Sequence, residues 1–303
     1  MSDFDNSHFQ FKAKLLQLSK IVEEGLLNYI EEWQFGSETL REAVYYCINS
    51  GGKRIRPVLM LAIAKMCNCP YSLVLPYACA MELIHTFSLV HDDLPCMDDD
   101  DLRRGVPTCH VAFGEGMAVL AGDAMLNLAF EIMIKEAEKN NGDIKHLKAL
   151  RIISTAAGAS GMISGQVLDL EAEGIEISYE ALKKIHFLKT GALLSAPIMA
   201  AAQLCEMSEA DKKALAIFGK NLGLTFQIMD DILDVVGNTE KLGKPIGSDN
   251  EKSKSTFVKL LGIEKSRKIV EELTAESLVQ LETIEGNIWF LQELSAFLAK
   301  REQ

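Results

Sequence analysis

Two groups of aspartates, each joined to an apolar segment of helical periodicity, constrain the fold of this chain most strongly. The first group places six aspartates within residues 92–101, directly after an apolar stretch that begins near Tyr77. Such a density of like charge repels itself, and carboxylates that emerge together from a buried helix are stabilised by divalent cations. Arg103 and Arg104 follow immediately. Because guanidinium groups bind phosphate oxygens bidentately, the combination indicates a phosphate-bearing ligand. For this group alone, a solvated acidic turn is the alternative.

The second group of aspartates lies in a segment that is otherwise apolar from Leu222 to Val236. Its polar residues recur at helical spacing and share one face of the helix. They are Gln227, Asp230 or Asp231, and Asp234. Charges among isoleucine, leucine and valine side chains cost free energy unless they are paired or bind a metal. The sequence therefore predicts that the two groups face each other across a site for several cations and a diphosphate.

The composition narrows the classes of partner. The formal net charge is −12, which argues against nucleic acid or an anionic membrane surface as a partner. The seven cysteines are scattered and odd in number, so they do not form a disulfide framework, and the first residues lack the apolar core of a secretion signal. Uninterrupted apolar runs fall short of the roughly 18 residues that a membrane span needs. We therefore expect a cytoplasmic protein without a membrane span.

Apolar residues recur at helical spacing along almost the whole chain, and runs of alternating β-branched residues are absent. The sequence thus predicts an all-α fold. The predicted helices cover residues 8–33, 37–50, 57–67, 71–94, 114–139, 146–173, 178–204, 208–236, 255–285 and 287–301. Length alone favours about two domains, but the two aspartate groups have to meet, which favours a single domain over 1–303.

A basic turn is predicted between the second and third helices, at Gly51–Pro57. Its glycines end one helix, and Pro57 suits the first turn of the next. Lys53, Arg54 and Arg56 are then placed beside a helix N-terminus, where both the charge and the backbone N–H groups favour an anion. Three exposed basic side chains on a turn are the alternative, which has less weight in so acidic a chain.

Two further positions interrupt apolar helices. His85 lies seven residues before Asp92 on the same helical face, and is either a core residue or part of the cavity mouth. Lys189-Thr190-Gly191 falls in the middle of the helix 178–204. Glycine inside a helix costs about 1 kcal/mol relative to alanine. The interruption therefore indicates a kink that turns the polar groups of Lys189 and Thr190 inward.

Two further segments have an unusual composition. Residues 158–166 are rich in glycine, alanine and serine, which favours close packing of two helices, and the alternative is that Gln166 and Asp169 point into the cavity. Residues 241–256 are rich in glycine, serine and lysine. This segment is either a linker or a lid that carries Lys244 and Lys254.

Four of these motifs together resemble one known family. They are Gly-Gly-Lys-Arg-Ile-Arg-Pro, His-Asp-Asp-Leu-Pro-Cys-Met-Asp with Arg-Arg, Lys-Thr-Gly, and Gln-Ile-Met-Asp-Asp-Ile-Leu-Asp. In order and spacing over residues 50–256 they resemble the trans-isoprenyl diphosphate synthases, most of all the bacterial farnesyl diphosphate synthase (geranyltranstransferase) type. The resemblance implies a single-domain antiparallel helical bundle around a deep central cavity, and a homodimer.

The resemblance also implies a reaction and its residues. A prenyltransferase of this type condenses isopentenyl diphosphate with dimethylallyl and geranyl diphosphate to give (2E,6E)-farnesyl diphosphate and diphosphate. About three Mg²⁺ ions are implied, with Mn²⁺ as the alternative. The implied metal-binding residues are Asp92, Asp93, Asp98, Asp230, Asp231 and Asp234, of which Asp92, Asp98 and Asp230 would be direct ligands. The implied substrate-binding residues are Lys53, Arg56, His85, Arg103, Arg104, Lys189, Thr190, Gln227, Lys244 and Lys254. Among these, Lys189, Thr190 and Gln227 would act in catalysis by facing the carbocation.

The length of the product is implied by the residues just before the first aspartate group. Phe87 lies roughly 7.5 Å below Asp92 along the helix, and with Ser88 it would form the floor of the cavity. An aromatic ring there favours the fifteen-carbon product, with geranylgeranyl or geranyl diphosphate as alternatives. A terpene cyclase would need a different second metal motif. A non-catalytic helical partner subunit would be expected to lose aspartates that this chain retains.

Overall fold

The computed structural model describes residues 3–236 and 255–300. The helices are α1 (Asp3–Glu32), α2 (Glu38–Asn49), α3 (Ile55–Met66), α4 (Tyr71–Asp92), α5 (Cys109–Phe113), α6 (Glu115–Lys139), α7 (Ile144–Ala157), α8 (Met162–Glu171), α9 (Tyr179–His186), α10 (Ala192–Leu204), α11 (Glu209–Val236), α12 (Phe257–Leu261), α13 (Ile263–Glu282) and α14 (Trp289–Ala299). A π-helical turn (Phe187–Gly191) joins α9 to α10, and two short strands, β1 (Leu102–Arg103) and β2 (Val106–Pro107), follow α4. The predicted all-α fold is confirmed.

The core lies where α3, α4, α6, α10 and α11 pack together. Helix α4 runs along α6 and α3, while α10 contacts α3, α7 and α11. The central helices are apolar on most sides, and Leu59, Leu61 and Ile63 of α3 are fully buried. Truncating such a leucine to alanine costs about 2–5 kcal/mol. This core fixes the ends of α4 and α11, which carry the two aspartate groups.

Two predicted helices are divided in the structure. The predicted helix 146–173 is wrong as one element, because it breaks between α7 and α8 at Gly158–Gly161. A Cβ at Gly161 would lie 2.1 Å from the carbonyl oxygen of Ala156, so the sharp turn needs glycine there. The predicted helix 255–285 also divides, at Gly262, whose φ of 80° lies in the left-handed region.

The small hairpin β1–β2 was not predicted. Its strands pair Leu102 with Pro107 and Arg103 with Val106. The two turn residues, Arg104 and Gly105, both have positive φ, at 55° and 80°. Such angles belong to the tight turns whose twist matches paired strands. The hairpin turns Arg103 back toward Asp93 at the end of α4, and Arg104 toward Gly51.

Three helical segments among the described residues are long and apolar enough, by length and composition, to cross a membrane. They are Tyr71–Asp92, Glu115–Lys139 and the continuous segment Tyr179–Leu204. The expectation that the chain has no membrane span was based on uninterrupted apolar runs, and it stays a prediction.

Candidate active site

A cavity of about 650 Å³ opens between α4, α6, α8, the π turn, α10 and α11. Charged and polar side chains line one part of it, and these are Arg56, His85, Asp92, Arg103, Arg104, Gln166, Lys189, Thr190 and Asp230. Apolar side chains line the rest, including Phe87, Leu89, Met162, Ile163, Val167, Leu170 and Leu193. A pocket that joins a charged region to an apolar wall suits a ligand with a charged head and a hydrocarbon tail.

Asp92 and Asp98 of the first aspartate group lie side by side. The loop after α4 folds back so that the Asp98 N–H donates to the Asp92 carbonyl at 2.8 Å. Burial raises the pKa of Asp92 to about 6; the charge of Lys189 opposes this shift, and the charge of Asp98 adds to it. A carboxylate held in so unfavourable a setting gains most from a bound cation.

Asp93 has a different environment from its neighbour. It is 3% exposed, and the Arg103 Nε donates to both carboxylate oxygens at 2.8 Å, with a further contact from Nη2. Burial raises the pKa of Asp93 even though this guanidinium opposes it. Asp93 therefore holds Arg103 at the cavity, and it is Arg103 and not Asp93 that lines the cavity wall.

Only Asp230 of the second aspartate group lines the cavity. Asp231 is 2% exposed; it accepts a hydrogen bond from the Phe257 N–H at 2.7 Å and one from Gln227 Nε2 at 3.3 Å. Asp234 is also buried, at 4% exposed. The structure thus brings Asp92 and Asp230 to one cavity, and places Asp231 and Asp234 behind its wall.

The Lys-Thr-Gly interruption forms the π turn instead of a simple kink. Lys189 Nζ lies 2.7 Å from Asp169 Oδ2, and Thr190 Oγ1 donates to Gln227 Oε1 at 3.0 Å. The turn is closely packed, since a Cβ at Gly165 would lie 2.2 Å from the Lys189 backbone nitrogen. The small-residue segment therefore packs closely, and of the two polar residues Gln166 lines the cavity while Asp169 pairs with Lys189.

A second cavity, of about 390 Å³, adjoins the first at the basic turn. It is lined by Gly52, Lys53, Arg54, Ile55, Arg56, Glu82, His85, Arg104, Phe226 and Leu298. Of these, Arg56, His85, Arg104 and Phe226 line both cavities. The concentration of cationic groups fits the predicted anion site.

His85 and Arg56 meet in the wall between the two cavities. Arg56 Nη1 lies 3.1 Å from His85 Nε2. Burial, helped by the positive charge of Arg56, lowers the pKa of His85 well below its usual range. The imidazole is therefore neutral, and we assign Nε2 as the acceptor of the Arg56 N–H. Burial lowers the pKa of Arg56 to about 10, so Arg56 remains a cation at neutral pH.

Arg54 and Arg104 support the second cavity in different ways. Arg54, at φ 51°, turns inward and forms a buried ion pair with Glu82 at 2.7 Å. Arg104 Nη1 donates to the Gly51 carbonyl, so the hairpin reaches back to the basic turn. Gly52 has a φ of 135°, a conformation that residues with a side chain rarely adopt, which explains why the turn carries glycine there.

Four predicted positions and one position that was not predicted remain to be placed. Lys244 and Lys254 lie outside the described residues. Ser88 and Phe87 line the first cavity. Sequence reasoning missed Phe226, although its position next to Gln227 on the second aspartate helix could have suggested it.

The chain matches the family described as polyprenyl synthetase over residues 37–285. It is 41% identical to a farnesyl diphosphate synthase of Micrococcus luteus over 93% of this chain and 95% of that protein. It is 38% identical to a geranylgeranyl diphosphate synthase of Cyanophora paradoxa over 97% of this chain and 98% of that protein. Among solved structures, a geranyltransferase from Legionella pneumophila superposes with a TM-score of 0.87 at 33% identity, covering 98% of both chains.

Proposed function

Because the chain belongs to the polyprenyl synthetase family and is a trans-prenyl diphosphate synthase, we propose that its product is (2E,6E)-farnesyl diphosphate. The proposed substrates are isopentenyl diphosphate with dimethylallyl and then geranyl diphosphate. The observation that carries the proposal is a single cavity that extends from the carboxylates of Asp92 and Asp230 to the ring of Phe87.

The oxygen donors at the cavity mouth fit Mg²⁺. Asp92 ends α4, Asp98 lies in the loop that folds back onto it, and Asp230 comes from α11; of the three, Asp92 and Asp230 line the cavity. Among the described side chains, no three potential ligands converge on one point, so bound ions would complete their shells with water and phosphate oxygens, as Mg²⁺ commonly does. About three Mg²⁺ ions, with Mn²⁺ as the alternative, would supply electrostatic stabilisation of the leaving diphosphate.

The residues around the mouth stabilise charge as the allylic carbon–oxygen bond breaks. Arg103 and Lys189 place cationic groups beside Asp92, where they would hold the departing diphosphate. Thr190 and Gln227, linked by a hydrogen bond, would direct oxygen dipoles toward the carbocation. The apolar wall excludes water, which would otherwise capture that intermediate.

Isopentenyl diphosphate would occupy the second cavity, with its diphosphate against Lys53, Arg56 and Arg104. The neutral His85 would donate a hydrogen bond through its other ring nitrogen. Since Arg56 and His85 line both cavities, the double bond of the bound substrate would face the allylic carbon. This arrangement supports a condensation of two diphosphates, which a terpene cyclase would not need.

The product length follows from the floor of the first cavity. Phe87 is 6% exposed and lines that cavity, so its ring would stop the growing chain. Geranylgeranyl or geranyl diphosphate would be the product if the floor lies deeper or higher than Phe87.

A direct assay tests the proposal. The purified protein is incubated with isopentenyl diphosphate, geranyl diphosphate and Mg²⁺, and the alcohols released by phosphatase are identified. We expect farnesol. Geranylgeraniol as the main alcohol would favour the twenty-carbon alternative, and no consumption of isopentenyl diphosphate would favour the non-catalytic partner subunit.

A substitution tests the floor itself. Phe87→Ala removes the ring, and we expect a shift of the main product from fifteen to twenty carbons. Phe87→Tyr keeps the ring and should keep the farnesyl product. An unchanged product in Phe87→Ala would place the floor elsewhere.

We also propose a cytoplasmic homodimer. Helix α6 exposes Leu120 and Ile134, apolar side chains that a second copy of the chain would cover. All seven cysteines lie among the described residues and are free thiols, which suits a reducing compartment. Light scattering on the purified protein tests the dimer, and a monomer at micromolar concentration would contradict it.

A further inference from the structure

The ring of Phe87 packs against a second aromatic ring, that of His91. His91 lies one turn further along α4, toward Asp92, and the two rings meet edge to face, with centroids 5.6 Å apart and planes at 87°. Both residues line the same cavity. The Phe87 ring at the floor is therefore held from the side of the aspartates by the ring of His91.

Helix α6 fixes the position of the His91 ring. His91 Nε2 lies 3.1 Å from the carbonyl oxygen of Val119. A carbonyl only accepts, so the hydrogen on this ring is assigned to Nε2. Val119 also lines the cavity, so this hydrogen bond ties two parts of the cavity wall together.

Gly122 provides the space for this ring. A Cβ at position 122 would lie 2.1 Å from His91 Nε2 and 2.4 Å from Cδ2, far inside van der Waals contact. Gly122 is a buried residue of α6. The ring of His91 therefore fills a socket that only glycine leaves open, and it cannot move further toward α6.

We propose that His91, seated in the socket of Gly122 and the Val119 carbonyl, is a positioning residue for product length. The ring blocks Phe87 from moving toward α6, and so sets the depth at which the hydrocarbon chain ends. This inference rests on the proposed function. It goes beyond it because a residue adjacent to the metal-binding aspartates would control specificity through Phe87 and not through the metal site.

Removing the His91 ring leaves a void beside Phe87. Cores respond to such a void by partial collapse, and the Phe87 ring is the neighbour that can rotate into it. The cavity then becomes deeper although Phe87 is still present. The product ratio should change in the same direction as in Phe87→Ala.

The test is a graded series at position 91, with Phe87 unchanged. His91→Ala, His91→Val and His91→Leu are incubated with isopentenyl and geranyl diphosphate, and the ratio of twenty-carbon to fifteen-carbon product is measured. We expect this ratio to rise at least tenfold in His91→Ala and to fall as the side chain grows. His91→Phe restores a ring and should restore the farnesyl product.

The ratio separates this role from a merely structural one. If His91 served only to hold Asp92, the rate would fall and the product ratio would stay at the wild-type value in every variant that folds, which would overturn the inference. Two folded variants of the series are enough to test whether the product ratio falls as the side chain at position 91 grows. A product ratio that does not vary with the size of the side chain at position 91 would also contradict the inference.

A binding measurement keeps the inference distinct from the proposed function. The affinities for farnesyl and geranylgeranyl diphosphate are compared by calorimetry in wild type and His91→Ala. We expect the variant to gain at least tenfold in relative affinity for the longer compound. If the wild type fails to condense its substrates, the proposed function fails, while this affinity ratio still decides whether His91 sets the depth.

Discussion

The two aspartate groups have similar sequences but different environments. The first follows the end of α4 and continues into a loop, so Asp98 folds back beside Asp92 while Arg103 holds Asp93. The second lies entirely within α11, where Asp230 lines the cavity while the adjacent Asp231 and, one turn further on, Asp234 are buried. In the first group the contacts come from the segment that directly follows α4, through the backbone N–H of Asp98 and the side chain of Arg103. In the second they come from a distant segment, through the backbone N–H of Phe257.

It follows that the number of carboxylates in a motif does not give the number of carboxylates that face the cavity. A carboxylate that accepts a short hydrogen bond from a buried N–H, as Asp231 does, is already satisfied. A carboxylate whose pKa is raised by burial, as that of Asp92 is, gains more from a cation. Substitutions in both groups test this distinction.

The largest expected effect is on catalysis, at Asp230. Asp230→Asn removes a cavity-lining charge, and we expect kcat/KM to fall by about 100-fold to 1000-fold. The matched variant Asp231→Asn keeps an oxygen to accept from Phe257, and we expect it to lose at least tenfold less activity. Steady-state kinetics at saturating Mg²⁺ measures both, and equal losses would contradict the distinction.

The next effect is on stability, at Asp231. Asp231→Ala leaves the buried Phe257 N–H without its acceptor, so the free energy of unfolding should fall by about 1–3 kcal/mol. Asp231→Asn should lose less, because the amide oxygen can accept in its place. Urea unfolding measures both variants. A stability as high in Asp231→Ala as in the wild type would show that this hydrogen bond does not hold α12 to α11.

The smallest effect is a pH dependence at Asp92. Its pKa of about 6 in the absence of cations means that a proton competes with Mg²⁺ below pH 6, and affinity should fall by about tenfold per pH unit there. Above that pH the affinity should level off. The raised pKa also means that the ionised carboxylate costs folded-state stability as pH rises through this range, so stabilisation by Mg²⁺ should be seen mainly above pH 6.

Calorimetric Mg²⁺ titrations at pH 5, 6, 7 and 8 measure this dependence. In Asp92→Asn the drop below pH 6 should disappear. If the wild type showed the same affinity at pH 5 and pH 7, the assignment of Asp92 as a cation-binding carboxylate would be wrong.

Much of the fold could be predicted from periodicity, and the site could be predicted in part. Long helices such as α4 and α11 carry many turns of apolar spacing, so their predicted ends lie close to the observed ones. The hairpin β1–β2 has two residues in each strand, too few for any period to show. Asp230 and Asp231 are adjacent in sequence, and the step of about 100° between neighbours on a helix decides which of them reaches the cavity. Which of the two aspartates faces the cavity could not be predicted without knowing that α12 packs against Asp231.

The contact between the rings of Phe87 and His91 could not be predicted from the sequence, for another reason. Phe87 could be predicted because the family resemblance implies that residues one to two turns before the first aspartate group, on the same helix, form the floor. The socket for His91 depends on Gly122 of α6, and nothing in the sequence states which residues of two helices meet. Contacts between helices, and not patterns within them, determine this part of the site.

The π turn at Phe187–Gly191 has a consequence for how the chain tolerates change in length. A π turn holds one residue more than the same arc of α-helix, so deleting any single residue between 187 and 191 would let the segment relax into a regular helix. Because the arc itself is unchanged, the helices on either side, α9 and α10, would keep their relative orientation, and His186 would keep its stacking on Phe257. Lys189 and Thr190, which line the cavity, would be shifted or lost. A one-residue deletion here should therefore impair activity more than it impairs folding.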